Sequence, residues 1–472
     1  MNSKEFRRNA HKVADWMADF MEGIEKYPVK STCAPGEVLS ALPVHPPAEG
    51  EAFDVLMDDV ERTILPGITH WQSPNFFAYF PANTSGPSIL AEMITATLGA
   101  QCMMWETSPA AAELEERMME WLKEMTGLPA GFSGVIQDSA STATLVALIS
   151  ARERITEFQT NEIGFLTNRY RVYCSSEAHS SVEKAVKIAG LGKQSLVKVD
   201  VDQSLRMIPE KLEESLAEDI KAGLIPCCVV AALGTTGTCS FDPLHEIAAI
   251  CKRFHVWLHV DAAYAGSAFV LPAFRHYLKG IEKADSYVFN PHKWMFTNFD
   301  CSAYFVKNKG SLIRSFEILP EYLKTRNDRK VNNYRDWGIQ LGRRFRALKL
   351  WFVIRSMGAE GIRKKISDHI HWAANLAEII RKEPGFELFE PQNMGLVCFR
   401  IVADGKTDEA IDLMNQQLLN QLNDSGSVYL SHTKIHQRYF LRMSIGQTEV
   451  QEKHVEQAWN TIKAFADEIR NL

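Results

Sequence analysis

Ser286-Tyr-Val-Phe-Asn-Pro-His-Lys-Trp294 is the stretch from which the rest of the chain can be read. Its apolar and aromatic run, Tyr287, Val288 and Phe289, stops abruptly at Asn290-Pro291. Such a run predicts a buried strand that ends in a turn. His292 and Lys293 then fall at the strand's carboxyl end, and Trp294, Met295 and Phe296 resume the apolar pattern at once. Among such neighbours a lysine loses solvation. Its charged form is disfavoured, and its amine becomes a better nucleophile toward a carbonyl. Taken alone the pair says little, because most lysines are solvated surface charges.

The same texture extends on both sides. Arg171 to Ser175, Cys227 to Leu233, Val256 to Val260 and Ser302 to Val306 read as further strands, with helices from Val182 and over Pro243 to Phe254. Continuous apolar strands alternating with helices predict a largely parallel sheet covered on both faces. Ligands of such sheets bind beyond the carboxyl ends of the strands. His179, Thr236, Asp261 and Lys293 all fall at such ends and are expected to converge on one crevice. Upstream, Gly134-Val-Ile-Gln-Asp-Ser-Ala-Ser-Thr-Ala-Thr144 places small hydroxyl residues just before a helical run, Leu145 to Arg154. That is either an anion site suited to a phosphate or an ordinary cap.

Ser3 is placed to cap a first helix, whose apolar face is Phe6, Ala10, Val13, Met17, Phe20 and Ile24 and which Pro28 ends. That face must cover a core or a partner subunit. Lys30 to Pro87 is proline-rich and holds Trp71-Gln-Ser-Pro-Asn-Phe-Phe-Ala-Tyr-Phe-Pro81, a packed loop or the wall of a pocket for a flat apolar ligand. Ile89 to Met125 reads as two helices. Leu319 to Asn333 has six charged residues and no apolar period, and reads as a mobile loop. Arg343 and Arg344 are candidates for anions or for surface ion pairs. From about Gly361, long helices (Arg363 to Arg381, Thr407 to Gln421, Val450 to Ile469) alternate with short strands (Leu396 to Ile401, Tyr439 to Met443), as in a smaller α/β domain.

A chain of 472 residues exceeds one typical core. Its 46% hydrophobic and 23% charged residues are those of a soluble globular protein. A net charge of −6 without a basic stripe argues against nucleic acid as a main partner. Nine cysteines without a CxxC pair read as reduced, buried thiols in a cytoplasmic protein, and no metal site is expected. No apolar run approaches the ~18 residues of a membrane span, and the charged amino terminus lacks a signal-peptide pattern.

Taken together, Asn290-Pro-His-Lys293, Val260-Asp-Ala-Ala-Tyr-Ala-Gly266, Gly234-Thr-Thr236, Ala178-His-Ser-Ser181 and Gly342-Arg-Arg-Phe-Arg346 resemble, in order, the pyridoxal-phosphate decarboxylases of aromatic L-amino acids. The resemblance covers essentially the whole chain. It implies the type I fold of pyridoxal-phosphate-dependent transferases: an α/β fold whose mostly parallel central sheet is flanked by helices. The expected divisions are an N-terminal helical dimer-wrapping segment (1–85), a large cofactor-binding domain (86–360) and a small C-terminal α/β domain (361–472). Lys293 would carry pyridoxal 5'-phosphate, and Asp261 would keep its pyridine nitrogen protonated. His179 would stack on the ring, and Thr236 would lie beside it. Ala140, Ser141, Asn290 and His292 would bind the phosphate. Tyr322, in Pro320-Glu-Tyr-Leu-Lys324, would reach a neighbouring subunit's site and deliver a proton to the substrate α-carbon. Trp71, Tyr79, Phe80, Pro81, Met103 and Gly342 would enclose the side chain of tryptophan, tyrosine, phenylalanine or dihydroxyphenylalanine. The family is a homodimer, with its terminal helix wrapped over the partner.

Asp138 stands where relatives of this kind often carry glycine, and Cys102-Met-Met-Trp105 differs from the animal enzymes at the expected pocket. Both bear on substrate choice more than on reaction type. The rival reading on the same fold is an oxidative aromatic acetaldehyde synthase, against which Tyr322 and His179 argue. A non-catalytic binding protein would lack the lysine or the aspartate, and both are present.

Overall fold

The protein, seen in a computed structural model, is described over residues 1–165, 169–318 and 330–470. It forms two compact units. The larger contains Ala82–His371 with Glu390–Leu396; the smaller contains Met1–Pro81, Trp372–Phe389 and Val397–Leu472.

The larger unit is built on seven strands: β1 (Ser133–Gln137), β2 (Tyr170–Ser175), β3 (Leu196–Val199), β4 (Ile225–Ala232), β5 (Trp257–Asp261), β6 (Ser286–Phe289) and β7 (Ser302–Val306). Their order is β1-β7-β6-β5-β4-β2-β3. Strands β3, β2, β4, β5 and β6 pair in parallel. β7 is antiparallel to β6, and β1 is antiparallel to β7. β1 therefore runs in the direction of β6, and its carboxyl end joins those of β2, β4, β5 and β6 along one edge. The helix Ala140–Ile155 packs against β4, β5, β6 and β7, and the helix Leu244–Phe254 against β4 and β5; β6 and β7 are buried at every residue.

The outer edge of β1 is closed by side chains. Glu115, on the helix Pro109–Thr126, accepts the Ile136 N–H at 2.8 Å. Arg343 donates to the Ile136 carbonyl and to Glu115, both at 2.7 Å. An exposed strand edge is thus satisfied by a buried ion pair. Of the two readings of Arg343, an anion site or a surface ion pair, the structure shows an ion pair, buried rather than on the surface. Arg344 pairs with Glu92 at 2.7 Å.

The smaller unit holds β8 (Phe386–Leu388), β9 (Leu396–Ile401), β10 (Ser431–Ile435) and β11 (Arg438–Ser444), in the order β10-β11-β9-β8. Leu418, Leu422, Phe399, Leu441, Trp459 and Ile462 form its core with the helices Asp408–Asp424 and Glu452–Arg470. The amino-terminal helix spans Ser3–Glu22 and is capped by Asn2 rather than Ser3. The Asn2 side chain accepts from Lys4 and Glu5 N–H groups, and the Glu5 carboxylate returns to the Asn2 N–H at 2.8 Å, completing a capping box. The helix ends at Gly23, before Pro28. No described helix is long and apolar enough to cross a membrane.

Gly266 shows how tightly the loop after β5 lies on β6. A Cβ there would come within 2.3 Å of the Phe289 Cβ and 2.6 Å of the Tyr287 hydroxyl. Gly266→Ala is therefore expected to displace the Asp261–Gly266 loop from β6 and to destabilise the fold by about 1–3 kcal/mol or more. Denaturant unfolding of the variant measures this, and an unchanged midpoint would contradict the packing described.

Candidate active site

Register fixes the positions of the polar residues along the shared edge. Ala232 of β4 pairs with Asp261 of β5, and Asp261 pairs with Val288 of β6. Beyond those pairs the backbone stays tied: Leu233 N–H donates to the Asp261 carbonyl at 2.8 Å, and Asn290 N–H to the Ala263 carbonyl at 2.9 Å. The loops that carry Thr236, Asp261 and Asn290 to Lys293 therefore start from one level. His179 lies in the loop after β2, just before the helix Ser181–Ile188.

Lys293 sits in a single helical turn, Pro291–Trp294, and is partly exposed, whereas Trp294, Met295 and Phe296 are fully buried. The turn is held from several sides. Asn83 N–H donates to the His292 carbonyl at 2.9 Å, and the Asn83 amide donates to the Lys293 carbonyl. Ser302 Oγ donates to Asn290 Oδ1 at 2.8 Å. Asn83 and Ser302 were not legible as site residues, because no local pattern marks a contact made from so far along the chain.

Asp261 Oδ1 accepts the Ala263 N–H at 3.0 Å, and Oδ2 makes no hydrogen bond among the described residues. His179 feels both Asp261 and Lys293. Burial by the surrounding loops pushes its imidazole below the ordinary value; Asp261 pulls it back up and Lys293 pushes it further down. One face of the residue remains open to solvent. His179 Nδ1 accepts the Ser181 N–H at 3.2 Å and lies 2.8 Å from the Ser181 hydroxyl, so the neutral ring carries its proton on Nε2. Amine, carboxylate and imidazole are thus within electrostatic reach of one another.

The phosphate candidates occupy the same edge. Gln137 of β1 pairs with Ser302 of β7, which bonds Asn290. Ser139 then caps the 16-residue helix Ala140–Ile155 by accepting the Thr142 N–H at 3.2 Å. Ala140 is buried and Ser141 exposed at its first turn, where free N–H groups favour an anion. The Asp138 carboxylate beside them takes hydrogen bonds from Ser139 Oγ (3.1 Å) and Gln340 Nε2 (2.8 Å). Both of its oxygens are engaged, which lessens its repulsion of an incoming anion. His292 is buried and accepts the Cys301 N–H on Nδ1 at 2.9 Å. Burial, then Lys293, push its pKa down to about 3, so the ring is neutral with its proton on Nε2.

Of the expected substrate-pocket residues, Met103 and Gly342 lie in the larger unit, where Cys102 N–H donates to the Arg343 carbonyl at 3.0 Å. A Cβ on Gly342 would meet Gln101 Nε2 at 3.3 Å. Trp71, Tyr79, Phe80 and Pro81 lie in the smaller unit. There Trp71 stacks on Phe76 (4.5 Å) and Tyr79 (5.7 Å), and Arg442 covers the Phe80 ring at 5.3 Å. Tyr322 and residues 319–329 of the expected loop lie outside the described residues. Among the described residues no His, Cys, Asp and Glu group could hold a metal ion.

Residues 35–402 match the pyridoxal-dependent decarboxylase conserved domain. The chain belongs to the pyridoxal-dependent decarboxylase family. An aromatic-L-amino-acid decarboxylase of Cavia porcellus is 42% identical over 487 residues, covering 100% of this chain and 99% of that one. A phenylacetaldehyde synthase of Arabidopsis thaliana is 41% identical, covering 99% and 96%. The crystal structure of Oryza sativa TDC with PLP and tryptamine superposes with a TM-score of 0.97 at 35% identity, covering 100% and 99%. The fold is the type I fold of pyridoxal-phosphate enzymes, and this decarboxylase uses that cofactor. The residues present fit it: an amine for the aldehyde, a carboxylate oxygen free for a pyridinium, and a helix amino terminus for the phosphate. Borohydride reduction of the loaded enzyme is expected to fix the pyridoxyl group on the peptide containing Lys293, and Lys293→Ala to abolish both label and turnover. A label on another lysine would overturn the assignment.

Three imidazoles in and beneath this site are held neutral by burial: His292 and His369 near 3, His259 near 4. His369 Nδ1 accepts the Trp294 indole N–H at 3.0 Å. Their folded values lie below the unfolded value, so the unfolded chain binds protons first as pH falls. Stability is full above about pH 6.5 and is lost as pH drops toward 3. His369→Gln keeps an acceptor for Trp294 and removes one such proton, flattening the loss by up to about 1.4 kcal/mol per pH unit. Chemical denaturation at pH 7 and pH 5 reads this; identical pH slopes for both proteins would refute it.

Proposed function

We propose that this decarboxylase acts on an aromatic L-amino acid of the tryptophan, tyrosine, phenylalanine or dihydroxyphenylalanine type and releases carbon dioxide and the arylalkylamine. The observation that carries the reading is the convergence of Lys293, Asp261 and His179 at one sheet edge, in a chain 42% identical to an aromatic-L-amino-acid decarboxylase. When bound, pyridoxal phosphate supplies the electron sink that lets the α-carboxylate leave. Asp261 Oδ2 would hold a proton on the pyridine nitrogen, and the neutral Nε2–H form of His179 would add no second cation beside Lys293. Asn290, His292, Ala140 and Ser141 would hold the phosphate and so orient the scissile bond. In the larger unit, Met103 and Gly342 would line the pocket for the substrate's ring.

The protein acts as a homodimer in the cytoplasm. Supporting the dimer, the helix Gly86–Leu98 leaves Leu90 (55%), Met93 (38%), Ile94 (42%) and Leu98 (59%) exposed, an apolar face that asks for a cover. On the amino-terminal helix Phe6 is likewise 59% exposed. The nine free thiols suit a reducing compartment.

The likeness extends equally to an aldehyde-forming enzyme, so the product must be tested. Tyr322 is assigned as the proton donor to the α-carbon, its hydroxyl being the group that phenylalanine lacks. With the four amino acids in competition, the wild type is expected to form amine without consuming oxygen. Tyr322→Phe should still release carbon dioxide but yield mainly aldehyde, ammonia and hydrogen peroxide. Amine as the main product of the variant, with no oxygen uptake, would sink the assignment.

A further inference from the structure

The smaller unit contains a cavity that the chemistry above does not use. It lies between the carboxyl-terminal part of the helix Arg346–Lys382 and the helix Glu452–Arg470, with a volume of about 610 Å³. That size suits a small molecule. Trp372, Leu376 and Ile379 line it from the first helix, at the three- and four-residue spacing of one face. Val455 and Trp459 line it from the second.

Its charge is as specific as its shape. Glu378, Glu452 and Glu456 stand at its walls against a single lysine, Lys463. Glu378 is paired with Arg381, and Lys463 lies 3.7 Å from Glu383. Glu452 and Glu456 are exposed and make no ion pair among the described residues. Trp459 is 4% exposed, and its indole N–H is buried without a hydrogen-bond partner among the described residues. Lys463 already lies 5.9 Å from the Trp459 ring centre, so an indole face here accepts a cation.

We propose that this cavity binds an organic cation carrying an aromatic ring, an arylalkylammonium. The two tryptophans and the aliphatic side chains would enclose the ring. The ammonium would take the unpaired carboxylates of Glu452 and Glu456. That the same chemical class is the enzyme's product rests on the function proposed above, and makes the cavity a place where product can be sensed away from the cofactor.

Tyramine is the probe, titrated calorimetrically onto the cofactor-loaded enzyme. Two binding events per subunit are expected, one at the catalytic site and one here. Glu452→Gln/Glu456→Gln should weaken only the second, by about fivefold per carboxylate, and leave turnover at low amine unchanged. 4-Ethylphenol, which lacks the ammonium, should bind the cavity of wild type and double variant equally weakly. A single tyramine event, or two events unaffected by the double variant, would overturn the proposal. So would a change of oligomeric state in the double variant by sedimentation, because the groove would then be covered by a second copy. Failure to form amine from any aromatic amino acid would instead sink the proposed function and leave the cavity's affinity for tyramine standing.

Discussion

Parallel pairing is the constraint on which this site depends. When β2, β4, β5 and β6 run the same way, every loop that leaves their carboxyl ends starts from one edge. The pairing of Ala232, Asp261 and Val288 then sets the level of each loop to within a residue. Adjacent strands lie about 4.8 Å apart, so three neighbouring loops span little more than one aromatic ring with its substituents. β7 breaks the parallel run but restores the direction at β1, which brings the helix Ala140–Ile155 to the same edge. The amino terminus of that helix and the amine of Lys293 reach one edge as consequences of one strand order.

Charge within the site is arranged by subtraction. Lys293 and Lys349 bear on His292, and together with burial they forbid it a proton; Asp300 pulls the other way. Burial also pushes Asp300 up, but the hydrogen bond from Arg346 and the charges of Arg346 and Lys349 outweigh it and keep its carboxyl below the usual range. Lys349 is itself fully buried 2.7 Å from Glu92. The cations behind the turn are thus matched by Glu92 and Asp300, and His292 remains a neutral donor. A protonated His292 would add a buried charge beside Lys293.

Most of this frame was legible in the sequence, for a physical reason. β4, β5, β6 and β7 are buried on both faces and therefore appear as unbroken apolar runs ending in polar turns. β1, β3, β8 and β10 were not read as strands. Ser133–Gln137 carries a glycine and two polar ends, Leu196–Val199 has four residues of which one is buried, and Ser431–Ile435 alternates with exposed positions. Edge and outer strands do not advertise themselves by hydrophobicity. The stretch Arg346–Lys382 is two helices broken at Gly358, whose backbone is not helical, and the expected Arg363 to Arg381 lies in the second. Glu115 and Arg343 look like surface charges in the sequence, since only the fold reveals that the backbone of Ile136 needs them.

What the frame does not determine is the identity of the ring it receives. Strand register positions Lys293, Asp261 and the amino terminus of the helix Ala140–Ile155. Gly342 belongs instead to a loop tied to its neighbour through Gln101, whose Oε1 accepts the Arg343 N–H at 2.7 Å. A side chain at 342 would press on that glutamine from 3.3 Å. The loop there is held by the Gln101 amide and by the Cys102 N–H on the Arg343 carbonyl. The edge of β1, by contrast, requires Arg343 itself. One dipeptide thus joins a position free to vary to one that is not. A sheet held so firmly can keep the cofactor chemistry fixed while the accepted side chain changes through its loops.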